Sequence, residues 1–334
     1  MSVLTLGECF IHAVKRADGS WQRTPAGYML NVSVALRRLG RTVRFVTDFG
    51  LDAGGTLLAE YFAAHSVELW LRADDQRNNP TSVLTTVTDS EEITAQRPSP
   101  AARLDFTWDI QDTPVSGACV LDLEMLAPRS VAFGGAACHT SPGAGKVRRW
   151  VEHLRSTTSV FYHLGLPPGF TAPMAQVREQ AEAFIGLADV VCAPRRRVGQ
   201  LYGATDVLTI ARHWQELGAA LVVVADDDGA DFIPRVGEPL HVQAFARVVD
   251  TVGAEEAFFA ALIDGISRSS LDGPHGKTTL HALTGDALDV LGSYATAAAT
   301  VAASRAGVYP PSREEVISVS EARQVSDEPV ATAV

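Results

Sequence analysis

The chain has 334 residues, of which 46% are apolar and 20% charged, so it is long enough to bury a large core. Its formal net charge of −11 excludes a broad nucleic-acid surface, which needs clustered Lys and Arg. A small basic pocket for a phosphorylated ligand remains compatible with this charge.

Short apolar runs alternate with helical patterns along the chain. Several runs are continuous in Val, Leu and Ile, which is typical of strands covered on both faces. The predicted strands are Leu4–Ile11, Val43–Thr47, Cys119–Leu123, Val160–Leu164, Val190–Ala193 and Ala220–Val224. The predicted helices are Asn31–Leu39, Gly55–His65, Val147–Leu154, Pro173–Leu187, Thr209–Leu217, Ala254–Ser267 and Leu288–Ser304. This alternation predicts an α/β fold with a doubly wound, mainly parallel central sheet.

Two regions interrupt the alternation. Residues 12–25 resemble a polar hairpin, and residues 68–96 contain several β segments that no helix follows. Together they predict a small β lid on the main sheet. Residues 318–334 are polar and without periodicity, which predicts a frayed tail after a single domain of residues 1–317.

The cysteines and the apolar runs bear on the compartment. Cys9, Cys119, Cys138 and Cys192 lie far apart, without the spacing of a zinc site, so we expect reduced thiols and no metal ligands among them. The first residues resemble a strand, and no run has the length of a membrane span. We therefore expect a cytoplasmic protein with no membrane and no nucleic-acid partner.

The stretch VVDTVGAEEAFFAALIDGI, residues 248–266, combines a strand end, a glycine turn and an amphipathic helix. Such a turn is suited to hold an anion, because backbone N–H groups and the positive end of the helix dipole converge there. The first helical turn nevertheless carries two carboxylates, Glu255 and Glu256.

DTVGAEEAFFAAL resembles the DTxGAGDxFxxGL signature of the PfkB/ribokinase family of carbohydrate kinases, and its fructokinase-like members in particular. Further resemblances follow in the family's order: GECFIHAV at 7–14, AGYMLNVSVALRRLG at 26–40, FVTDFGLDAGG at 45–55, PTSV at 80–83, LADVVCAP at 187–194 and ALVVVADDDGA at 220–230. The resemblance implies a ribokinase-like fold, a sugar held between the sheet edge and the lid, and ATP with Mg²⁺ across the other half of the site.

The resemblance also assigns roles to residues. It implies Glu256 as the general base that takes a proton from a sugar hydroxyl, with Gly253, Ala254 and Glu255 as the anion hole for the transferred phosphate. The implied substrate-binding residues are His12, Gly27, Asn31 and His163. The implied nucleotide-binding residues are Ala225, Asp227 and Gly229.

The departures from the family pattern fall on these positions. Glu255 replaces a glycine of the anion hole, Glu256 replaces the catalytic aspartate, and His12 replaces an aspartate that grips sugar hydroxyls. Ala225-Asp226-Asp227, followed by Asp228, replace the T-x-G that holds nucleotide phosphate, and residues 193–196 lack the N-x-x-E that organises Mg²⁺. Each change alone fits an ordinary surface role; for example, Glu255 near a helix N-terminus stabilises that helix by about 0.3–1 kcal/mol. Together they indicate relaxed or redirected function.

Three hypotheses follow from this pattern. The chain is an active sugar kinase with Glu256 as base, or a catalytically impaired pseudokinase that binds a sugar-like ligand or a partner without ATP turnover. A third option is acid–base chemistry in the same cleft by His12 or His163. Because lid strands in this family often pair between subunits, a homodimer is also expected.

Overall fold

The computed structural model describes residues 2–71, 79–87, 103–106, 108–110, 112, 123, 125–166, 170–244 and 248–327. Its strands are β1 Ser2–Leu6, β2 Phe10–Lys15, β3 Trp21–Ala26, β4 Thr42–Val46, β5 Glu68–Trp70, β6 Val83–Val87, β7 Arg103–Asp105, β8 Ser130–Gly134, β9 Ser159–His163, β10 Val190–Pro194, β11 Leu221–Asp226, β12 Gly229–Pro234 and β13 Leu240–Gln243.

The described helices are α1 Tyr28–Arg38, α2 Ala53–Ala64, α3 Gly143–Leu154, α4 Met174–Ile185, α5 Arg195–Tyr202, α6 Val207–Leu217, α7 Ala254–Arg268, α8 Gly273–Leu280, α9 Asp286–Ala303 and α10 Arg313–Asp327. None of these helices is long and apolar enough to span a bilayer.

The central sheet has nine strands in the order β13-β12-β11-β10-β9-β8-β1-β4-β5. Strands β12 and β13 are antiparallel to their neighbours, and the other pairings are parallel. After β5 the chain returns to β8 on the other side of β1, which creates a topological switch point. In such sheets, ligands bind in the crevice outside the carboxyl ends of the strands.

Both faces of the sheet are covered, as its continuous apolar runs require. In β10, Val190 and Cys192 pack into the layer that contains α1, α2, α7 and α9. Val191 and Ala193 point the other way, into the layer that contains α3, α4, α5 and α6. This alternation confirms the predicted α/β fold with a large, mainly parallel central sheet.

A separate four-stranded sheet, in the order β3-β2-β6-β7, corresponds to the predicted lid. The prediction placed the lid's second part at 68–96, but Glu68–Trp70 pairs with β4 as the edge of the main sheet, where Glu68 meets Arg44 at 2.7 Å. Residues 88–96 lie outside the described part of the chain. Strand β7, at 103–105, was not expected in the lid.

Other differences from the predicted elements have local causes. The single strand predicted over Leu4–Ile11 is two strands, because the chain leaves the main sheet after Leu6 and enters the lid at Phe10. Of the strand predicted at Cys119–Leu123, residues 119–122 lie outside the described part of the chain and Leu123 is helical, and β8 at Ser130–Gly134 takes the strand's place in the order. The tail predicted from residue 318 is helical to Asp327, where α10 buries Val316 and anchors Arg313 to Asp264 at 3.0 Å.

Candidate functional site

The side chain of Asp250 stabilises the turn that precedes α7. Asp250 accepts hydrogen bonds from the backbone N–H of Val252 at 3.1 Å and of Gly307 at 2.9 Å. Gly253 then caps the helix with φ of 80° and ψ of −5°, a left-handed conformation that favours glycine. The N-terminus of α7, with Ala254 and Glu255 in its first turn, therefore lies in a fixed position at the crevice.

Glu256 faces α1 from the first turn of α7. Asn31 Nδ2 donates to its Oε1 at 3.0 Å, so the structure brings the predicted base together with one predicted substrate-binding residue. Burial, together with the neighbouring negative charge of Glu255, raises the pKa of Glu256 to about 7. At neutral pH this carboxyl group is therefore poised between its two protonation states.

Glu255 is held by two basic groups. Arg196, in the first turn of α5, donates from a terminal guanidinium nitrogen to Oε2 of Glu255 at 2.8 Å. Nε2 of His163, at the end of β9, lies 3.1 Å from Oε1 of Glu255, outside hydrogen-bond geometry. Burial alone raises the pKa of Glu255, but its contact with His163 and the charge of Arg196 outweigh burial and hold the pKa below its ordinary value. Glu255 is therefore an ionised partner for both.

His163 is fully buried and stacked. The ring of Tyr28 lies 4.0 Å from it, centroid to centroid, at 13°, and the Tyr28 hydroxyl donates to the Glu255 carbonyl at 3.3 Å. Phe259 covers it from α7 at 5.3 Å. Burial lowers the pKa of His163 despite the opposing effect of Glu255, so the ring is neutral at pH 7. Tyr28, His163 and Glu255 therefore pack together as one cluster at the N-terminus of α7.

A second buried carboxyl group lies beside this cluster. Glu8 Oε2 accepts from the backbone N–H of Ala137 at 3.1 Å, whereas Oε1 has no hydrogen-bond partner, and burial raises the pKa of Glu8. Gly27 is required here, because a Cβ on it would lie 2.6 Å from the Glu8 carbonyl oxygen, and its φ is 142°. Gly27 thus has a packing role at the start of α1.

His12 lies in the lid sheet rather than among the α7 carboxylates. Its side chain projects from β2, and Nε2 lies 3.0 Å from the hydroxyl of Thr86 on β6. Burial lowers the pKa of His12. The hydroxyl of Thr86 therefore provides a hydrogen-bond partner for the partly buried imidazole of His12.

The predicted nucleotide residues belong to the β11–β12 hairpin. Ala225 pairs with Ala230, and Asp227 occupies the two-residue turn before Gly229. Asp226, Asp227 and Asp228 are exposed, and Nε of Arg195 reaches Oδ2 of Asp226 at 2.7 Å. The hairpin was missed from the sequence, and its turn presents carboxylates where the family holds nucleotide phosphate.

The described residues fit neither a magnesium ion nor the phosphates of ATP. Within the described ranges, no cluster of three or more His, Cys, Asp or Glu side chains is placed to hold a metal. Residues 193–196, in the region that the resemblance expects to organise Mg²⁺, include no acid, and the carboxylate of Glu255 lies at the expected anion hole. The Glu255 carboxylate opposes the negative charge of phosphate electrostatically, whereas the positive charge of Arg196 opposes a metal cation and attracts phosphate.

A shallow groove of about 420 Å³ lies on the outer side of α6, lined among others by Arg195, Asp206 and Asp231. Its polar groups already have local partners: Arg195 pairs with Asp231, and Asp206 caps α6 by accepting from the N–H of Thr209. The convergent carboxylates at α7 make the crevice the better candidate site.

Two site residues were not identified from the sequence. Tyr28 stands where the family motif has a small residue, which was a readable signal within AGYMLN. The basic run at 195–197 suits a solvated helix start, a phosphate contact or a partner protein, and in the structure its Arg196 contacts Glu255.

Comparisons with known proteins agree with this architecture. The profile of the pfkB family carbohydrate kinases matches residues 2–315. Fructokinase of Escherichia coli is 25% identical over 281 residues, which cover 80% of this chain and 85% of that protein. Aminoimidazole riboside kinase of Salmonella typhimurium is 23% identical over 271 residues, covering 80% and 82%.

Solved structures share the fold from end to end. Fructokinase with bound ATP from Xylella fastidiosa has a TM-score of 0.75 at 19% identity, covering 97% of this chain and 99% of that chain. Aminoimidazole riboside kinase from Salmonella enterica, complexed with aminoimidazole riboside and an ATP analog, has a TM-score of 0.69 at 20% identity, covering 96% and 99%. With a family profile that spans nearly the whole chain, this protein belongs to the pfkB family of carbohydrate kinases.

Proposed function

We propose that this protein binds a sugar-like small molecule in the crevice above α7 and that its phosphoryl transfer from ATP is impaired. The observation that carries the proposal is the ion pair of Glu255 with Arg196, at 2.8 Å, on the N-terminus of α7. By the family resemblance, this pair lies where a kinase of the family would hold the transferred phosphate, which supports the proposal.

The acceptor half of the crevice, where the resemblance places the sugar, supports binding of a ligand that carries hydroxyl groups. Glu256 accepts a hydrogen bond from Asn31, and a carboxylate beside an amide supplies the acceptors and donors that suit the hydroxyl groups of sugars. The relatives named above are kinases of fructose and of a riboside, which supports a sugar or a sugar-like molecule as the ligand class.

The donor half of the crevice, where the resemblance places ATP, supports the proposal of impaired turnover. A second negative group placed about 4 Å from the Glu255 carboxylate is repelled by about 4 kcal/mol at an effective dielectric constant of 20. The exposed turn at 226–228 adds further negative charge on the nucleotide side. Neither region presents the neutral, glycine-lined cradle that polyphosphate needs.

The competing candidate is an active sugar kinase, and one observation favours it. Glu256 has a pKa of about 7, which suits a general base that accepts a proton from a hydroxyl group near neutral pH. In that case activity rises as pH increases through about 7, because only the ionised carboxylate accepts a proton. The lid-mediated dimer and a cytoplasmic location stay predictions under either candidate.

Two measurements distinguish these candidates. Calorimetry without ATP over a panel of ketoses, aldoses and ribosides is expected to reveal binding of at least one ligand, weakened by Glu256→Gln. A coupled ADP-release assay on the same panel is expected to show no turnover by the wild type and a gain in the double variant Glu255→Gly, Glu256→Asp. Wild-type turnover with any sugar would overturn the impaired-kinase proposal, and no sugar binding would overturn the ligand class.

A further inference from the structure

The lid sheet joins the rest of the molecule at the sheet edge that carries the candidate site. Strand β2 begins at Phe10, shortly after β1 ends at Leu6, and β3 ends at Ala26, just before α1. Tyr28, the first residue of α1, stacks on His163 of the candidate site. The position of the lid is therefore linked directly to the start of α1 and to the crevice.

A further connection, the segment before β6, is held by one carboxylate. Thr81 donates to Asp52 twice, from its backbone N–H to Oδ2 at 2.8 Å and from its hydroxyl to Oδ1 at 2.6 Å. The same Oδ1 accepts from the backbone N–H of Gly55 at 2.9 Å, which caps α2. The side chain of Asp52 thus joins the N-terminus of α2 to a segment 29 positions away.

The two joined segments also lie in close backbone contact. The N–H of Gly50 donates to the hydroxyl of Thr81 at 3.1 Å, and Thr81 is only 6% exposed. A Cβ on Gly50 would lie 2.7 Å from the carbonyl oxygen of Asn79, so no larger residue fits there. Burial alone raises the pKa of Asp52, but the hydrogen bonds from Thr81 outweigh burial and hold the pKa below its ordinary value. Thr81 therefore donates to an ionised acceptor, which strengthens both hydrogen bonds.

The anchored segment leads directly into the lid. The carbonyl of Ser82 accepts from the N–H of Ile11 at 2.9 Å, and β6 then pairs in parallel with β2, with Val83 opposite Ile11. Strand β2 pairs on its other side with β3. One hydrogen-bonded path therefore runs from α2 through Asp52 and Thr81 to the two inner strands of the lid.

We propose that Asp52 is a positioning residue, which acts through Thr81 to anchor the lid sheet to the main sheet and to fix the place of the lid at the crevice. The proposal rests on the proposed function in one respect, that the lid covers a ligand bound in the crevice. Without this anchor the lid opens more often, and a ligand beneath it dissociates faster.

The first test measures amide hydrogen exchange of β6, Val83–Val87, in the ligand-free protein. In Asp52→Asn the carboxamide has a single acceptor oxygen, so the backbone N–H of either Thr81 or Gly55 loses its partner. Exchange in β6 is expected to become at least about tenfold faster than in the wild type.

The matched control is Asp206→Asn. Asp206 caps α6 by accepting from the N–H of Thr209, as Asp52 caps α2, but it lies in the other helical layer and has no contact with the lid among the described residues. Asparagine is as good an N-cap as aspartate, so both helix starts are retained. Asp206→Asn is expected to leave exchange in β6 within about twofold of the wild type.

A second pair of variants separates the hydrogen bonds from packing. Thr81→Val removes the hydroxyl and keeps the branched shape, and it is expected to accelerate exchange in β6. Thr81→Ser keeps the hydroxyl and is expected to retain the wild-type rate. Wild-type exchange in both Asp52→Asn and Thr81→Val would overturn the proposal, as would equal acceleration by Thr81→Ser and Thr81→Val.

Ligand binding supplies a readout that loss of a helix cap alone does not move. For a sugar that binds in the calorimetric panel, Asp52→Asn is expected to raise the dissociation rate constant at least about fivefold, and Asp206→Asn to leave it unchanged. An unchanged rate constant in Asp52→Asn would overturn the positioning role. If the wild type binds no sugar, the ligand class of the proposed function fails, and the exchange comparison still decides whether Asp52 anchors the lid.

Discussion

At the scale of single residues, Glu256 couples the site to pH. Its pKa in the folded protein, about 7, lies above its ordinary value of 4.5 because of burial and the charge of Glu255. The folded state therefore binds the extra proton. The stability that this group contributes is complete below about pH 4.5 and is lost as pH rises through about 7.

Glu256→Gln removes this titration. Between pH 5 and pH 8 the wild type is expected to lose about 1–3 kcal/mol of unfolding free energy through this group, and the variant is expected to lose little of it. Urea unfolding at the two pH values measures the difference. Glu315→Gln is the control. Because Arg305 holds the pKa of Glu315 low, Glu315 is ionised at both pH values and its loss lowers stability at both. The change in unfolding free energy between the two pH values is therefore expected to equal that of the wild type. Equal pH dependence in Glu256→Gln and the wild type would contradict the raised pKa.

At the scale of elements, α7 is anchored far from its N-terminal end. Asp264, fully buried on α7, accepts from Arg41 before β4, from Arg313 of α10 at 3.0 Å and from the hydroxyl of Tyr294 of α9 at 2.7 Å. These contacts join α7 to two other helices, α9 and α10, and to the loop before β4. They hold the helix whose first turn carries the two site carboxylates.

Asp264→Asn is expected to destabilise the protein by about 3–5 kcal/mol, because it leaves two arginines around a buried position without their countercharge. Urea unfolding followed by circular dichroism measures this loss. Glu152→Gln, which breaks the exposed ion pair with Arg148, serves as control and is expected to cost less than about 1 kcal/mol. A similar, small effect of both substitutions would show that the Asp264 network is dispensable.

At the scale of the whole molecule, the apolar runs predicted the layered architecture well. Runs such as Val190–Ala193 are buried on both faces and have one stable environment, a covered parallel strand. The β11–β12 hairpin was less readable, because its turn is a run of aspartates that also suits a solvated loop. Helix α10 was missed because its periodicity is weak and its anchor, Arg313, depends on a tertiary contact with Asp264.

The sequence predicted which residues lie together at the candidate site, but it did not predict which side chains contact each other. The motif order identified Glu255, Glu256, Asn31 and His163, and the structure brings all four together. The contact between Arg196 and Glu255 joins residues 59 positions apart, and no local pattern encodes it. Tyr28 reaches Glu255 across 227 positions in the same way. These long-range pairings are the basis for proposing a rewired donor half.

The most direct test of the occupied phosphate position is a calorimetric titration of the wild-type protein with ATP and Mg²⁺. The structure predicts no binding with a dissociation constant below about 1 mM, equivalent to a binding free energy weaker than about −4.1 kcal/mol. The same titration of Glu255→Gly is expected to show tighter binding than the wild type. Submillimolar binding of ATP by the wild type would contradict the central claim that Glu255 and Arg196 close the donor half of the crevice.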